Sequence, residues 1–139
     1  IRWGNAAQYN VVYFNFNISS RDLSHLAENG FALEFMARTL SPLQFDVRFV
    51  NAESVTTIPW RMRYMVNESI IKPDGQWHTI RIPLSEMSEH GAWVNETWEW
   101  LPPRGEFDWK SVNQLDFLSE YSDLTGKTIW FDEIKIVKP

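Results

Sequence analysis

Trp93, Trp98, Trp100 and Trp109 fall within the segment GAWVNETWEWLPPRGEFDW, residues 91–109, beside the carboxylates Glu96, Glu99 and Glu106. Indole rings presented on one side of a loop form a flat apolar platform. Two acids held at a defined separation would be the machinery for hydrolysing a glycosidic bond, yet nothing in the spacing of these three glutamates selects a pair. His25, His78 and His90 show no metal-ligand spacing, and no serine nucleophile motif or phosphate-cradling glycine loop is present. These residue types are suited to binding rather than to bond cleavage.

A second chemical resource is polar. The runs YNVVYFNFNIS (9–19), FALEFMAR (31–38), LQFDVRFVN (43–51), IPWRMRYMVN (58–67), WHTIRIPL (77–84), NQLDFLSE (113–120) and KTIWFDEIKIV (127–137) carry strand character, most of them alternating apolar and polar residues. Period-2 geometry turns Phe45, Val47 and Phe49 one way and Asp46 and Arg48 the other. It likewise opposes Trp60, Met62 and Tyr64 to Arg61 and Arg63, and Leu33, Phe35 and Ala37 to Glu34 and Arg38. The outward set reads either as a solvated ladder of ion pairs or as fixed donors and acceptors for hydroxyl groups. A one-residue slip of the 58–67 strand would exchange its faces and bring Trp60 and Tyr64 outward.

The elements that must position these groups are short strands separated by turn residues, ENG, LSP, KPDGQ and LTGK. Only RDLSHLAE and FDWKSVNQ look helical, for a turn or two each, with Asp108 as an N-cap in the second. Many strands without a βαβ rhythm predict an all-β fold, an antiparallel β-sandwich of jelly-roll type. Trp77, at a strand start, is expected to lid the core, and Trp109 to anchor the second helical turn. Trp130, out of phase with Ile129 and Phe131, belongs to the opposite face of its strand. Pro102, Pro103 and Gly105 discourage regular structure around Trp93, Trp98 and Trp100. In extended chain Trp98 and Trp100 would point the same way.

Composition bounds the rest. The chain has 139 residues, 44% hydrophobic and 15% aromatic, with 8 Trp and no cysteine. That length fits a single domain, residues 1–139, with one core. The net charge of −5, with both signs mixed along the chain, lacks the basic footprint of a nucleic-acid binder. No apolar run approaches the roughly 20 residues of a membrane span. Absence of cysteine excludes disulfides, thiolate metal sites and cysteine nucleophiles. The chain opens mid-pattern with IRWGN, as expected of a mature or excised module.

Flat aromatics together with fixed Arg, Asp and Gln groups match a β-linked pyranose, whose C–H face stacks on indole while its hydroxyls need polar partners. Here the sequence resembles a known group. DGQWHTIRIPLSEM, a Trp-rich loop, FDWKSVNQLDF and the closing TIWFDEIKIV resemble the ending of β-jelly-roll carbohydrate-binding modules attached to secreted bacterial polysaccharide-degrading enzymes of endoglucanase type. Trp77, Ile80, Ile82, Pro83 and Leu84 match the first motif, Trp109 and Val112 the second, and Ile129, Phe131, Asp132, Glu133 and Ile134 the third. The likeness is close over about the last 60 residues and one of pattern before them.

The resemblance implies a non-catalytic, secreted module that recognises β-glucan chains (cellulose, mixed-linkage glucan or xyloglucan) as a monomer and delivers an attached glycoside hydrolase. Carried over residue by residue, it implies ligand contact by Asp46, Arg48, Arg61, Arg63, Gln114 and Asp116, flanked by Trp98 and Trp100, with Trp60 as a further candidate. No cofactor is required. A structural calcium is implied only through Asp132, and IRWGNAAQ offers no carboxylate to complete its six to eight oxygens. The alternative is a protein-interaction sandwich using the same tryptophans as an interface.

Overall fold

The computed structural model describes residues 1–2, 8–16, 20–54 and 57–138. In chain order the strands are β1 (Val11–Asn15), β2 (Ala32–Thr39), β3 (Phe45–Asn51), β4 (Arg61–Val66), β5 (His78–Pro83), β6 (Ser88–Val94), β7 (Glu99–Leu101), β8 (Val112–Leu118) and β9 (Ile129–Val137). A short helix, α1 (Ser24–Glu28), lies between β1 and β2, and 3₁₀ turns occupy Leu84–Glu86 and Trp109–Ser111. All seven predicted strands are present, although the end of the first, residues 17–19, falls outside the described residues.

The strands form two antiparallel sheets, one ordered β1-β8-β3-β4-β6-β7 and the other β5-β2-β9. The predicted antiparallel β-sandwich is the observed architecture. Alternation decides which side chains enter the core: Phe45, Val47 and Phe49 of β3 and Phe117 of β8 meet Leu33 and Phe35 of β2 and Ile80 and Ile82 of β5, all buried. Aromatic rings tie the sheets together, with Phe117 5.7 Å from Phe35 and 4.5 Å from Phe131 between ring centroids. Asp108 caps the second 3₁₀ turn by accepting from the Lys110 amide. Trp109 packs edgewise on Phe49 at 5.5 Å and on Phe107 at 5.0 Å, the anchoring role predicted for it.

Three local expectations need correction. The Trp-rich segment contains a hairpin: β6 and β7 pair with Ala92 opposite Leu101, Trp93 opposite Trp100 and Val94 opposite Glu99. The prolines do not prevent it because they follow the last paired residue, where no ladder amide is required. Trp77 is no lid; it is 42% exposed, and with Trp130 it flanks the Arg38 guanidinium, 5.3 Å and 4.6 Å from the two rings. Finally, the outward charges do not share one surface. Glu34 and Arg38 belong to the three-stranded sheet, whereas Asp46, Arg48, Arg61 and Arg63 belong to the six-stranded one.

Candidate functional site

Register assembles the site on the outer face of the six-stranded sheet. On β3, Asp46 and Arg48 point away from the core; Arg48 lies opposite Asp116 of β8 on one side and Arg63 of β4 on the other, and Val50 lies between Gln114 and Arg61. The arginines of β4 thus share the face of Asp46 and Arg48, as the alternation predicts. Beyond β4 the ladder is irregular: Arg63 faces Ser88, Met62 faces Glu89 and Arg61 faces Gly91, so His90 is an extra residue on β6. This bulge delivers the His90 imidazole into the same face.

The face is less solvated than alternation alone implies. All seven residues of β3 are buried, with Asp46 2% and Arg48 6% exposed. Alternation gives direction and carries no information on depth; here Arg63 of β4 lies against Asp46, and Asp116 of β8 and Glu120 lie against Arg48. Arg48 survives burial because it donates to Glu120 Oε2 at 2.9 Å and to Asp116 Oδ2 at 3.3 Å. Gln114 donates to the other Asp116 oxygen at 2.7 Å. Arg63 sits 3.5 Å from Asp46 Oδ2. His90 completes the network: its Nε2 lies 2.8 Å from Glu120 Oε1 and its Nδ1 3.2 Å from Arg63 Nη1. Both contacts are met when the proton on Nε2 donates to Glu120 and Nδ1 accepts from Arg63.

Electrostatics differ among the three acids. Burial raises the Asp46 carboxyl, with Arg63 pulling the other way. Burial likewise raises Asp116 against the charge of Arg48. Burial would raise Glu120 too, but the hydrogen bond and charge of His90, with Arg48, bring it below the ordinary glutamate range. Arg61 is pushed down to about 10 by burial and by the like charge of Arg48, so it remains a cation at neutral pH.

Aromatic groups border this polar centre. Trp93 and Trp100 are direct cross-strand partners and share the outer face. The Trp100 ring centroid lies 5.1 Å from that of His90 and 5.6 Å from the Arg61 guanidinium carbon. Trp98 does not align with Trp100 as an extended chain would require. It ends the 95–98 turn with φ +56°, is 81% exposed, and meets Trp93 edgewise at 6.4 Å. Tyr121, 54% exposed, lies 5.0 Å from the Arg63 guanidinium, and its hydroxyl is 3.2 Å from His90 Nε2. On the far edge Tyr13 faces Asp116 and is 56% exposed. The Pro-rich chain beyond β7 is tied down by Glu89, whose carboxylate accepts from the amides of Arg104, Gly105 and Phe107 at 2.7, 3.1 and 3.0 Å.

The structure therefore brings together Asp46, Arg48, Arg61, Arg63, Gln114, Asp116 and Trp100, with Trp98 at the hairpin tip. Trp60 stands apart. It precedes β4, is only 7% exposed, and lines a pocket with Ile58, Arg104 and Glu106; Tyr64 points to the core opposite Val47. The register does not slip. Four groups were not singled out from sequence: His90, Glu120, Tyr121 and Tyr13. Trp93, left without a role there, is part of the platform.

Asp132 lies on the three-stranded sheet opposite Met36, exposed, with Oδ1 accepting from the Glu133 amide at 2.8 Å. Among the described residues no further carboxylate joins it in a ligand set, and residues 3–7 of IRWGNAAQ lie outside the described residues. What is described does not fit a calcium centre at Asp132. The group of three potential ligand atoms within 4.8 Å of one another is Asp46, His90 and Glu120, and there the cationic partners are already Arg48 and Arg63.

Comparison with known proteins bears on the family and the fold. The family model for carbohydrate binding domain 30 matches residues 2–138. No curated protein matches the chain. Among solved structures, the chain is similar to a family 30 carbohydrate-binding module at 22% identity and TM-score 0.68, covering 93% of this chain and 67% of that one. A family 30 module of a cellulosomal cellulase from Clostridium thermocellum aligns at 22% identity and TM-score 0.65, covering 94% and 70%. A family 11 module from the same organism, in complex with a β-1,3-1,4-mixed-linked tetrasaccharide, aligns at 15% identity and TM-score 0.63, covering 96% and 72%. At these identities the structural likeness is one of fold.

Proposed function

We propose that the chain, which belongs to the carbohydrate binding domain 30 family, lays a β-glucan chain across the outer face of its six-stranded sheet. A domain of this family is a non-catalytic carbohydrate-binding module. The finer reading, β-glucan of cellulose, mixed-linkage or xyloglucan type, is supported by one observation above all: the Trp93–Trp100 pair borders a row of fixed donors and acceptors running through Arg61, Arg63, Arg48 and Asp116. Indole accepts the C–H face of a pyranose, and the guanidinium and carboxylate groups serve its hydroxyls. Six strands at about 4.8 Å spacing give a path of about 24 Å, long enough for several sugar units.

In this reading Trp98 and Trp100, with Trp93 between them on the platform, hold the sugar by stacking. Asp46, Arg48, Arg61, Arg63, Gln114 and Asp116 supply and orient the polar contacts, Asp46 and Arg48 from beneath. The module acts as a single, monomeric domain, works outside the cell, and raises the local concentration of an attached glycoside hydrolase at its substrate. A mixed-linkage tetrasaccharide bound to the family 11 module and the cellulase parent of the family 30 module are consistent with that role. Affinity electrophoresis against cellulose derivatives, mixed-linkage glucan, xyloglucan and mannan tests it. Retardation by the first three is expected, and free migration in those three would end the β-glucan reading.

A further inference from the structure

The face carries three arginines, and their partners are unequally shared. Arg48 bridges Asp116 and Glu120. Arg63 pairs with Asp46. Arg61, half-buried, forms no ion pair among the described residues; its contact is with the face of Trp100, 5.6 Å away. Burial, with the like charge of Arg48, depresses its proton affinity, and Asp116, Glu120 and Glu53 offset this only in part. A partly desolvated cation of this kind is short of negative charge. A sugar hydroxyl supplies a dipole, whereas a carboxylate supplies the missing charge and a bidentate acceptor matched to guanidinium.

We propose that Arg61 makes this face favour β-glycans that carry a carboxylate, with a uronate unit stacked at Trp100 and its carboxylate on the Arg61 guanidinium. The inference rests on the glycan reading of the same face and names a ligand class within it. Arg61 is the specificity-determining group, and the indole on which it lies fixes the position of the pyranose beside it. The other two arginines of the face are already paired, Arg48 with Asp116 and Glu120 and Arg63 with Asp46, so Arg61 is the guanidinium left to receive an added carboxylate. Because Arg61 is only half-buried, the preference is sensitive to salt.

The test uses a cello-oligosaccharide and the same oligosaccharide oxidised at C6 to the glucuronate form, titrated calorimetrically into wild type and Arg61→Gln at low and high ionic strength. Thermal melts confirm that the variant is folded, and Arg61→Lys serves as a second variant that keeps the charge and loses the fork. The oxidised ligand is expected to bind about fivefold more tightly than the neutral one at low salt. That advantage should shrink at high salt, fall in Arg61→Lys and vanish in Arg61→Gln. Equal or weaker binding of the oxidised ligand, or an advantage undiminished in Arg61→Gln, overturns the proposal while leaving the β-glucan reading intact if the neutral ligand binds. If neither ligand binds, both readings fall.

Discussion

Trp100 lies directly over Gly91: a β-carbon built on Gly91 would stand 3.0 Å from Trp100 Cζ2 and 2.2 Å from the Leu101 carbonyl oxygen. Gly91 is therefore the floor on which the indole rests, and it also adopts φ +98°, a conformation other residues resist. Its partner across the sheet is Arg61, so the missing side chain is what lets Trp100 reach that guanidinium. The platform depends on a residue that has no side chain of its own.

Gly91→Ala should lift Trp100 off the face and strain the bulge. We expect a loss of stability of about 1–3 kcal/mol together with at least tenfold weaker glycan binding. Thermal unfolding and calorimetry on the same preparation check both parts, and a variant with unchanged affinity would show that the seat of Trp100 is unimportant.

Trp98 holds a left-handed backbone, φ +56°, that costs an L-residue about 1–2 kcal/mol. Trp98→Gly should therefore be more stable than Trp98→Ala by about 1 kcal/mol, although both lose the indole alike. Comparing the two by denaturant unfolding isolates the backbone term. Their glycan affinities should be equally reduced, which separates the function of the side chain from the strain of its position.

The Glu120 carboxyl is held below its ordinary range by His90 and Arg48 against its own burial. A depressed folded value means that its contribution is full above the unfolded glutamate pKa of 4.5 and disappears as pH falls through the lower folded value. Asp46 and Asp116 are raised, so they act in the opposite sense, favouring the folded form most at low pH and less as pH rises through their folded values. Glu120→Gln should destabilise the domain by about 3 kcal/mol at neutral pH, because Arg48 loses one of its two buried partners. The gap to wild type should be full above pH 4.5 and narrow as pH falls below it, through the lower folded value. Urea unfolding across pH measures it, and a gap independent of pH would refute the electrostatic account.

Much of this was legible in the sequence, for identifiable reasons. Period-2 alternation in LQFDVRFV and IPWRMRYM fixed which faces Asp46, Arg48, Arg61 and Arg63 occupy, because that period is a property of the extended backbone. What alternation lacks is depth: it cannot tell that Asp46 and Arg48 are covered by neighbours contributed by β4 and β8. It also fails at irregularities. The bulge that delivers His90 and the turn that reverses Trp98 both break the period, so the hairpin was hidden behind Pro102 and Pro103. Glu120 and Tyr121 lie just beyond the end of β8, and their link to His90 arises from strand order, which no local window contains. Trp77 departs from the lid role expected of it because a strand-start tryptophan can also stack on a neighbouring arginine, here Arg38.

The central claim is that the Trp hairpin and the charged face together bind a β-glucan chain. Isothermal titration with a mixed-linkage glucan oligosaccharide on wild type and on the double variant Trp98→Ala, Trp100→Ala tests it most directly. The account predicts saturable binding by wild type and loss of at least tenfold in affinity, about 1.4 kcal/mol, in a double variant that remains folded. Undiminished binding by the double variant would contradict the placement of the site, and absence of binding by wild type would contradict the function.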